Sequence, residues 1–379
     1  MKTRSSFLRI PAIILCLFIA GALPALAVPR PRVQRKVVRH SVRHAVRHAE
    51  RRRVVRYRVP TYTDSEKGDV TEYDDPVVRQ AAVQALGRYN GSVVAIDPST
   101  GRILSIVNQK LAFSTGFIPC STIKPVIAVA ALQEGVVTRN SMIRVAPHKY
   151  LNMTEALAHS NNAFFEELGR RMGFATVAHY GRLFGLGERA GYHIPEEHPG
   201  GFPTAPPAFG GVARMSSFGQ GIQMTPLQLG AMASTIANGG TLYYLQYPQS
   251  AEAQENFVPR VKRKLNIESL LPEVRDGMLA AVLYGTARLS YISDDEQAAG
   301  KTGSCSEDGS RLGWFVSYAD QTHPKIVLVV LMRGHSHAVM GPMAAGIAGH
   351  IYRRLNDENY FGTRNAEART PAAEIGSAQ

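Results

Sequence analysis

Short runs of apolar and β-branched residues stand at both ends of the globular part of the sequence. Residues 91–97 and 102–107 are two such runs, and the Pro-Ser-Thr-Gly turn between them predicts a β-hairpin. Strand composition returns near Gln297 and predicts two further strands, at 314–318 and 325–331.

The stretches around and between these strands have the residue spacing and composition of helices. Strands at both ends with helices between predict an α+β fold: an antiparallel sheet formed by N- and C-terminal segments, flanked by helices, with a mostly helical subdomain between. We expect this body to cover residues 77–356 and a flexible tail to cover 357–379. The predicted helices cover residues 77–88, 124–134, most of 154–187, 226–238 and 344–355.

The first 27 residues have the composition of an export signal. Lys2, Arg4 and Arg9 precede an apolar run over residues 10–22, and a small-x-small pattern follows at 25–27. A cleaved signal peptide and an uncleaved membrane anchor both fit this pattern. We therefore predict a chain exported to the extracytoplasmic side, either held at the cell membrane or released into the periplasm.

Residues 28–76 are predicted to form a disordered linker, rich in Arg and His and then acidic. The net charge of +13 is concentrated before the body, since residues 1–76 hold 16 Lys and Arg against 7 Asp and Glu. A Val-Arg-His repeat over residues 38–49 attracts anionic lipid headgroups, responds to pH through its histidines, or is a solvated tether. The export signal argues against a nucleic-acid partner.

Ser121 and Lys124 are the first candidates for chemistry. Their spacing puts both side chains on one face of a helix that begins near Ser121. A serine hydroxyl becomes a good nucleophile when a base takes its proton. A lysine can be that base when burial or another cation lowers its pKa. Alone, however, the spacing is common and an exposed Ser/Lys pair explains it equally well.

Two later segments make the pair specific: Ser160-Asn161-Asn162, and Lys301-Thr302-Gly303 followed by Ser304. In this order the three segments match the S-x-x-K, S-x-N and K-T-G set of penicillin-binding proteins and serine β-lactamases. The chain therefore resembles the transpeptidase domain of penicillin-binding proteins over roughly residues 77–355. The segments 219–228 and 313–316 resemble further stretches of that family.

The resemblance implies an activity and a role for each motif residue. It implies a D,D-transpeptidase or D,D-carboxypeptidase that acts on D-Ala-D-Ala stem peptides of peptidoglycan, is acylated by β-lactams, and needs no cofactor or metal. It implies Ser121 as nucleophile, Lys124 as general base, and Ser160 as the group that passes a proton to the departing D-alanine. The residues implied in substrate binding are Asn162, Lys301, Thr302, Gly303 and Ser304, with an oxyanion hole formed by the backbone N–H groups of Ser121 and Ser304.

Cys120 and Cys305 adjoin the first and third motifs. A group of carbapenem-hydrolysing class A β-lactamases is similar in this respect, and the resemblance implies a Cys120–Cys305 disulfide, which export permits. Two small buried thiols are the alternative.

Two other functions remain open at this point. A serine β-lactamase fits the cysteine pair, but the Glu-x-x-Leu-Asn pattern expected for activation of a deacylating water is absent. Glu196 and Glu197 are predicted to belong to a structural loop instead. A non-catalytic penicillin-binding sensor or scaffold is the second alternative. His335 and His337 are predicted to lie in a polar loop after a strand rather than to bind a metal.

Overall fold

The computed structural model describes residues 59–320 and 323–362. The described residues contain one five-stranded sheet and two short two-stranded ribbons. The strands are β1 (Gly91–Ile96), β2 (Ile103–Val107), β3 (Ile143–Ala146), β4 (Lys149–Leu151), β5 (Thr241–Tyr243), β6 (Val261–Lys264), β7 (Ala299–Glu307), β8 (Ser310–Ala319) and β9 (Ile326–Gly334). The large sheet has the order β2-β1-β9-β8-β7, with all neighbours antiparallel.

Helices surround this sheet. They are α1 (Pro76–Leu86), α2 (Gln109–Ala112), α3 (Lys124–Gln133), α4 (Met153–Ala158), α5 (Asn162–Leu183), α6 (Gly211–Phe218), α7 (Pro226–Ala237), α8 (Ala251–Glu255), α9 (Leu271–Leu283) and α10 (Gly341–Asp357). Short 3₁₀ turns occur at Cys120–Ile123, Glu268–Leu270 and Arg288–Ser290. Helix α5 is interrupted at Gly173, whose φ of 76° lies outside the helical region.

The predicted α+β fold is confirmed. β1 and β2 form the predicted hairpin, with Val94 opposite Ile106. β1 also pairs with β9 along its whole length, from Gly91 opposite Met332 to Ile96 opposite Val327. The first strand of the body and its last strand are therefore neighbours in one sheet.

Helices cover both faces of the sheet. Alternate residues of β9 belong to different cores: Val329 belongs to the core that contains residues of α3, α5 and α7, and Val330 to the core that contains residues of α1 and α10. A strand buried on both faces needs apolar side chains at every position, which explains the continuous apolar run of β9. Helix α3 is buried from Lys124 to Ala131 and lies at the centre of the first core.

The body begins before residue 77, so the predicted linker boundary is wrong. Asp69 and Asp74 form ion pairs with Arg79 of α1, at 2.9 and 3.6 Å. Asp69 also accepts hydrogen bonds from the backbone N–H groups of Asn108 and Gln109. The acidic segment is therefore packed onto the body, because its carboxylates have partners there.

The C-terminal boundary also moves. Tyr360 and Phe361 are 9% and 4% exposed, and the Tyr360 hydroxyl donates to Asp75 at 2.9 Å. The prediction of a flexible tail is therefore wrong for residues 358–362. The predicted signal or anchor, the Arg/His repeat and residues 363–379 lie outside the described residues. Within the described part of the chain, no helix has the length and apolar character needed to cross a membrane.

Candidate active site

Ser121 lies in a tight turn that is anchored on both sides. The turn Cys120–Ile123 is a 3₁₀ helix, and the α-helix expected to start near Ser121 starts at Lys124. Cys120 has a φ of 52°, a left-handed conformation that a residue with a side chain adopts only when its surroundings enforce it. Trp314 Nε1 of β8 donates to the Ile118 carbonyl at 3.1 Å and holds the approach to the turn. Ser121 is 8% exposed, so it lies at the surface of the core.

Lys124 is fully buried and its amine contacts the middle motif. Lys124 Nζ lies 2.7 Å from the Ser160 carbonyl, 3.1 Å from Ser160 Oγ and 2.7 Å from Asn162 Oδ1. Ser121 Oγ is not among its hydrogen-bond partners in the part of the chain that the structure describes. Burial lowers the pKa of Lys124 well below its ordinary value, and the positive charge of Lys301 lowers this pKa further. The negative charge of Glu166, on α5, raises this pKa.

The middle motif connects α4 to α5. Ser160 adopts a left-handed φ of 54°, and Asn162 is the first residue of α5. Asn161 caps that helix, since its side chain accepts from the Phe164 N–H at 2.9 Å. The capping residue lies between the two residues that contact Lys124, so the motif both starts the helix and faces the buried amine.

The third motif lies on β7, one of the two edge strands of the sheet. Lys301 is fully buried, its Nζ donates to the Thr302 carbonyl at 3.1 Å, and burial lowers its pKa to about 7. At Gly303 a Cβ atom would lie 3.0 Å from the Pro119 carbonyl and 3.1 Å from Thr122 Cγ2. Glycine therefore lets β7 pack closely against the turn that carries Ser121.

A disulfide joins these two segments. Cys120 and Cys305 are bonded in the structure, with their Cα atoms 5.8 Å apart. This is the pairing implied by the resemblance, and it links the residue before Ser121 to the residue after Ser304. The structure thus brings the first and third motifs together, while the Lys124 amine brings the second motif to the first.

The other sequence candidates have structural contacts. Glu197 is buried and accepts from the backbone N–H groups of Ala190 and Gly191 at 2.9 and 2.6 Å, as expected of a structural loop. The His335 ring contacts the Val59 carbonyl and the His337 ring contacts Arg311. Among residues 59–320 and 323–362, no group of three or more His, Cys, Asp or Glu residues could hold a metal ion.

Thr286 is a residue of this region that the sequence analysis missed. It follows α9, and its hydroxyl lies 2.7 Å from the hydroxyl of Thr302. It belongs to none of the three motifs, and its position became evident from the structure.

A family model for the "Penicillin binding protein transpeptidase domain" matches residues 91–355. The chain is 27% identical over 313 residues to "Peptidoglycan D,D-transpeptidase FtsI" of Escherichia coli strain K12, which covers 71% of this chain and 52% of that protein. It is 26% identical over 312 residues to "Stage V sporulation protein D" of Bacillus subtilis, with 69% and 48% coverage. The chain therefore spans about half the length of these curated relatives.

A solved structure shares the fold. It is the D,D-transpeptidase domain of a peptidoglycan glycosyltransferase from Eggerthella lenta, with a TM-score of 0.61 and 19% identity. The match covers 75% of this chain and 82% of the other.

Proposed function

Because the chain belongs to the family of penicillin-binding protein transpeptidase domains, we propose that it is a serine acyl-enzyme acting on D-Ala-D-Ala stem peptides of peptidoglycan. The reaction is D,D-transpeptidation when an amine accepts the acyl group and D,D-carboxypeptidation when water accepts it. Two of its relatives are named peptidoglycan D,D-transpeptidases, FtsI of Escherichia coli and MrdA of Acinetobacter baumannii.

The environment of the Lys124 amine is the observation that carries this proposal. A neutral amine has two N–H groups and one lone pair. The Ser160 carbonyl and Asn162 Oδ1, each 2.7 Å away, can only accept hydrogen bonds, so they take the two N–H groups. The lone pair is then left for a hydroxyl, which is Ser160 Oγ at 3.1 Å in the structure and Ser121 Oγ in the proposed reaction. This arrangement suits a base that takes a proton from one serine and gives it to another.

The proposed sequence of steps follows from these contacts. Ser121 Oγ attacks the carbonyl of the penultimate D-alanine while Lys124 takes its proton. The proton passes through Ser160 to the nitrogen of the departing D-alanine, and the C–N bond breaks to leave an ester on Ser121. In the second step the amine or water attacks this ester, and Ser121 recovers its proton by the reverse route.

The substrate is proposed to bind along β7. Lys301 and Thr302 engage its terminal carboxylate and Asn162 orients its amide. The backbone N–H groups of Ser121 and Ser304 stabilise the negative oxygen that forms during attack, an effect worth about 3–4 kcal/mol for one donor in other enzymes. We propose that the Cys120–Cys305 disulfide forms in the exported protein and fixes these two donors relative to each other.

A β-lactamase is the alternative that a specific observation favours, namely the cysteine pair. The bonding of both Glu197 oxygens to backbone N–H groups weighs against it, because Glu197 is then engaged within its own loop. Turnover of a chromogenic cephalosporin separates the two functions. Many rapid turnovers favour the hydrolase, whereas one equivalent of product followed by a stop favours the transpeptidase.

The cellular setting is part of the same proposal. A peptidoglycan substrate requires an extracytoplasmic location, which the predicted N-terminal export segment would provide. Contact with the membrane surface through that basic segment is proposed as well. β-Lactams are the expected covalent inhibitors.

Incubation with a D-Ala-D-Ala pentapeptide tests the proposed activity. The expected product without an amine is the tetrapeptide, and with D-amino acid or a stem-peptide amine it is the exchanged or cross-linked peptide, both identified by mass. Ser121→Ala is the matched control and should form neither product. Product formation by Ser121→Ala, or unchanged pentapeptide with the wild-type protein, would contradict the proposal.

A further inference from the structure

Thr286 contacts the segments of two different motifs. Its backbone N–H donates to the carbonyl of Ala158, two residues before Ser160, at 3.1 Å. Its side-chain Oγ1 lies 2.7 Å from Thr302 Oγ1 on β7. Thr286 lies outside the motifs. It therefore connects the end of α4, just before the middle motif, to β7, the strand that carries the third motif.

The position of Thr286 is fixed from the side of α4. A Cβ atom at Gly285 would lie only 2.2 Å from the Ala158 carbonyl, so the chain runs against the end of that helix at this point. The Tyr284 hydroxyl donates to Glu155 of α4 at 2.7 Å. The two residues before Thr286 are therefore held against α4, and this fixes the segment that brings the Thr286 hydroxyl to Thr302.

Thr302 has little freedom of its own. It is 4% exposed, and a Cβ atom at Gly341 would lie 2.8 Å from Thr302 Cβ, so the first residue of α10 packs against it. Thr286 is the hydrogen-bond partner of its hydroxyl among the described residues. The orientation of the Thr302 O–H bond therefore depends on the direction of this one hydrogen bond.

The chemistry of a carboxylate decides that direction, if the proposed function holds. A carboxylate only accepts hydrogen bonds, and a threonine hydroxyl has one hydrogen to donate. Thr302 can give its hydrogen to the substrate carboxylate only if Thr286 donates to Thr302 Oγ1. We propose that Thr286 is a positioning residue: its hydroxyl aims the Thr302 proton at the terminal carboxylate of the substrate. This inference rests on the proposed function and assigns a residue that determines carboxylate specificity.

Thr286→Val is the direct test, because it removes the hydroxyl and keeps the shape and the backbone N–H. The measurement is the second-order rate constant for acylation by benzylpenicillin and by its methyl ester, which lacks the carboxylate charge. We expect about a tenfold loss for the acid, the size of one oriented hydrogen bond to a charged group, and less than about a twofold change for the ester. Thr286→Ser keeps a donor and should restore the wild-type rate with the acid.

A double-variant cycle separates positioning from direct contact. If Thr286 acts through Thr302, then Thr286→Val should cause no further loss in a Thr302→Val background. Thr138→Val is the matched control, since it makes the same change at an exposed turn where the hydroxyl contacts Ser141. It should leave the ratio of the acid rate to the ester rate unchanged.

Three results would overturn the inference: equal losses for acid and ester, no loss for the acid, or additive losses in the double variant. Each of these leaves acylation of the wild-type protein intact, so the proposed function survives. Failure of both compounds to acylate the wild-type protein would instead overturn the proposed function and this inference together.

Discussion

The site has two halves that each bury a lysine, yet the two lysines have different surroundings. The helix half contains Ser121, Lys124, Ser160 and Asn162, and the strand half is Lys301–Ser304. Lys124 Nζ contacts three oxygen atoms of the middle motif. Lys301 Nζ donates to the carbonyl of its own neighbour in the strand. The helix half thus surrounds its amine with fixed acceptors, whereas among residues 59–320 and 323–362 the Lys301 amine has the Thr302 carbonyl as its one hydrogen-bond partner.

This difference indicates how two similar side chains can serve different purposes. Burial lowers the pKa of both lysines, and the charge of Lys301 lowers that of Lys124 further. Lys124 is therefore suited to be a neutral base. Lys301, with a pKa lowered to about 7, can carry a positive charge when an anionic carboxylate is bound beside it. Substitutions of the two lysines and of the two cysteines test this distinction.

Lys124→Met should produce the largest loss of activity. The variant keeps an unbranched buried side chain but removes the proposed base, so acylation by a fluorescent penicillin should slow on the order of 10³-fold. Labelling rates measure the loss, and a calorimetric Tm checks that the variant is folded. A folded variant that is acylated within tenfold of the wild-type rate would show that Lys124 is not the base.

Lys301→Met should cause a smaller loss and also change the pH dependence. Losing the partner of the substrate carboxylate should slow acylation about a hundredfold, the effect of removing one member of a desolvated charge pair. Because the charge of Lys301 lowers the pKa of Lys124, its removal should raise that pKa. The acid limb of the acylation profile should therefore move to higher pH. Lys264→Met, at an exposed position of β6, is the control. An acid limb that stays in place or moves to lower pH in Lys301→Met would show that the charge of Lys301 does not lower the pKa of Lys124.

The Cys120→Ser, Cys305→Ser double variant tests the link between the halves. Without the cross-link the free energy of unfolding should fall by about 2–4 kcal/mol, as for typical disulfides. Acylation should slow about tenfold, since small shifts of an oxyanion donor are costly. Denaturant unfolding and labelling rates measure the two effects. Reductant should affect the wild-type protein and leave the variant unchanged; equal responses of the two proteins would show that the disulfide is not formed.

The last prediction concerns thermal stability as a function of pH, not the rate of acylation. The pKa of Lys301 is about 7 in the folded protein and 10.5 as its ordinary value, so between these values the unfolded state binds the additional proton. The stability contribution of this group therefore rises with pH from about 7 to 10.5. Any gain in Tm from Lys301→Met at pH 7 should shrink as the pH is raised. A gain that stays constant or grows over this range would mean that the folded pKa of Lys301 is not lowered.

The sequence predicted the parts of the fold and site that repeat a regular pattern or a spaced motif. The hairpin of β1 and β2 followed from two β-branched runs around a turn. The sharing of one sheet by N- and C-terminal strands followed from strand composition at both ends of the body, whereas the direct pairing of β1 with β9 was found in the structure. Helical spacing predicted one turn between Ser121 and Lys124, and the Lys124 N–H does donate to the Ser121 carbonyl. The α-helix nevertheless begins three residues later than expected, because Cys120–Ile123 forms a 3₁₀ turn.

Other features depend on contacts between distant residues and have no local signal. The segment containing Asp69 and Asp74 has the composition of a linker, but Arg79 and the backbone of residues 108–109 provide partners for its carboxylates. The approach of Thr286 to Thr302 depends on the packing of α9 against β7. A single threonine outside the motifs does not indicate a positioning role from sequence alone. Its hydroxyl can orient another side chain only where the fold brings a second segment next to it.

Mapping of the penicillin adduct tests directly whether Ser121 is the nucleophile. The protein is incubated with benzylpenicillin, digested and analysed by mass spectrometry. The account predicts one adduct of the mass of the antibiotic, located on Ser121, and none in Ser121→Ala. An adduct on another residue, or a protein that carries no adduct after prolonged incubation, would contradict it.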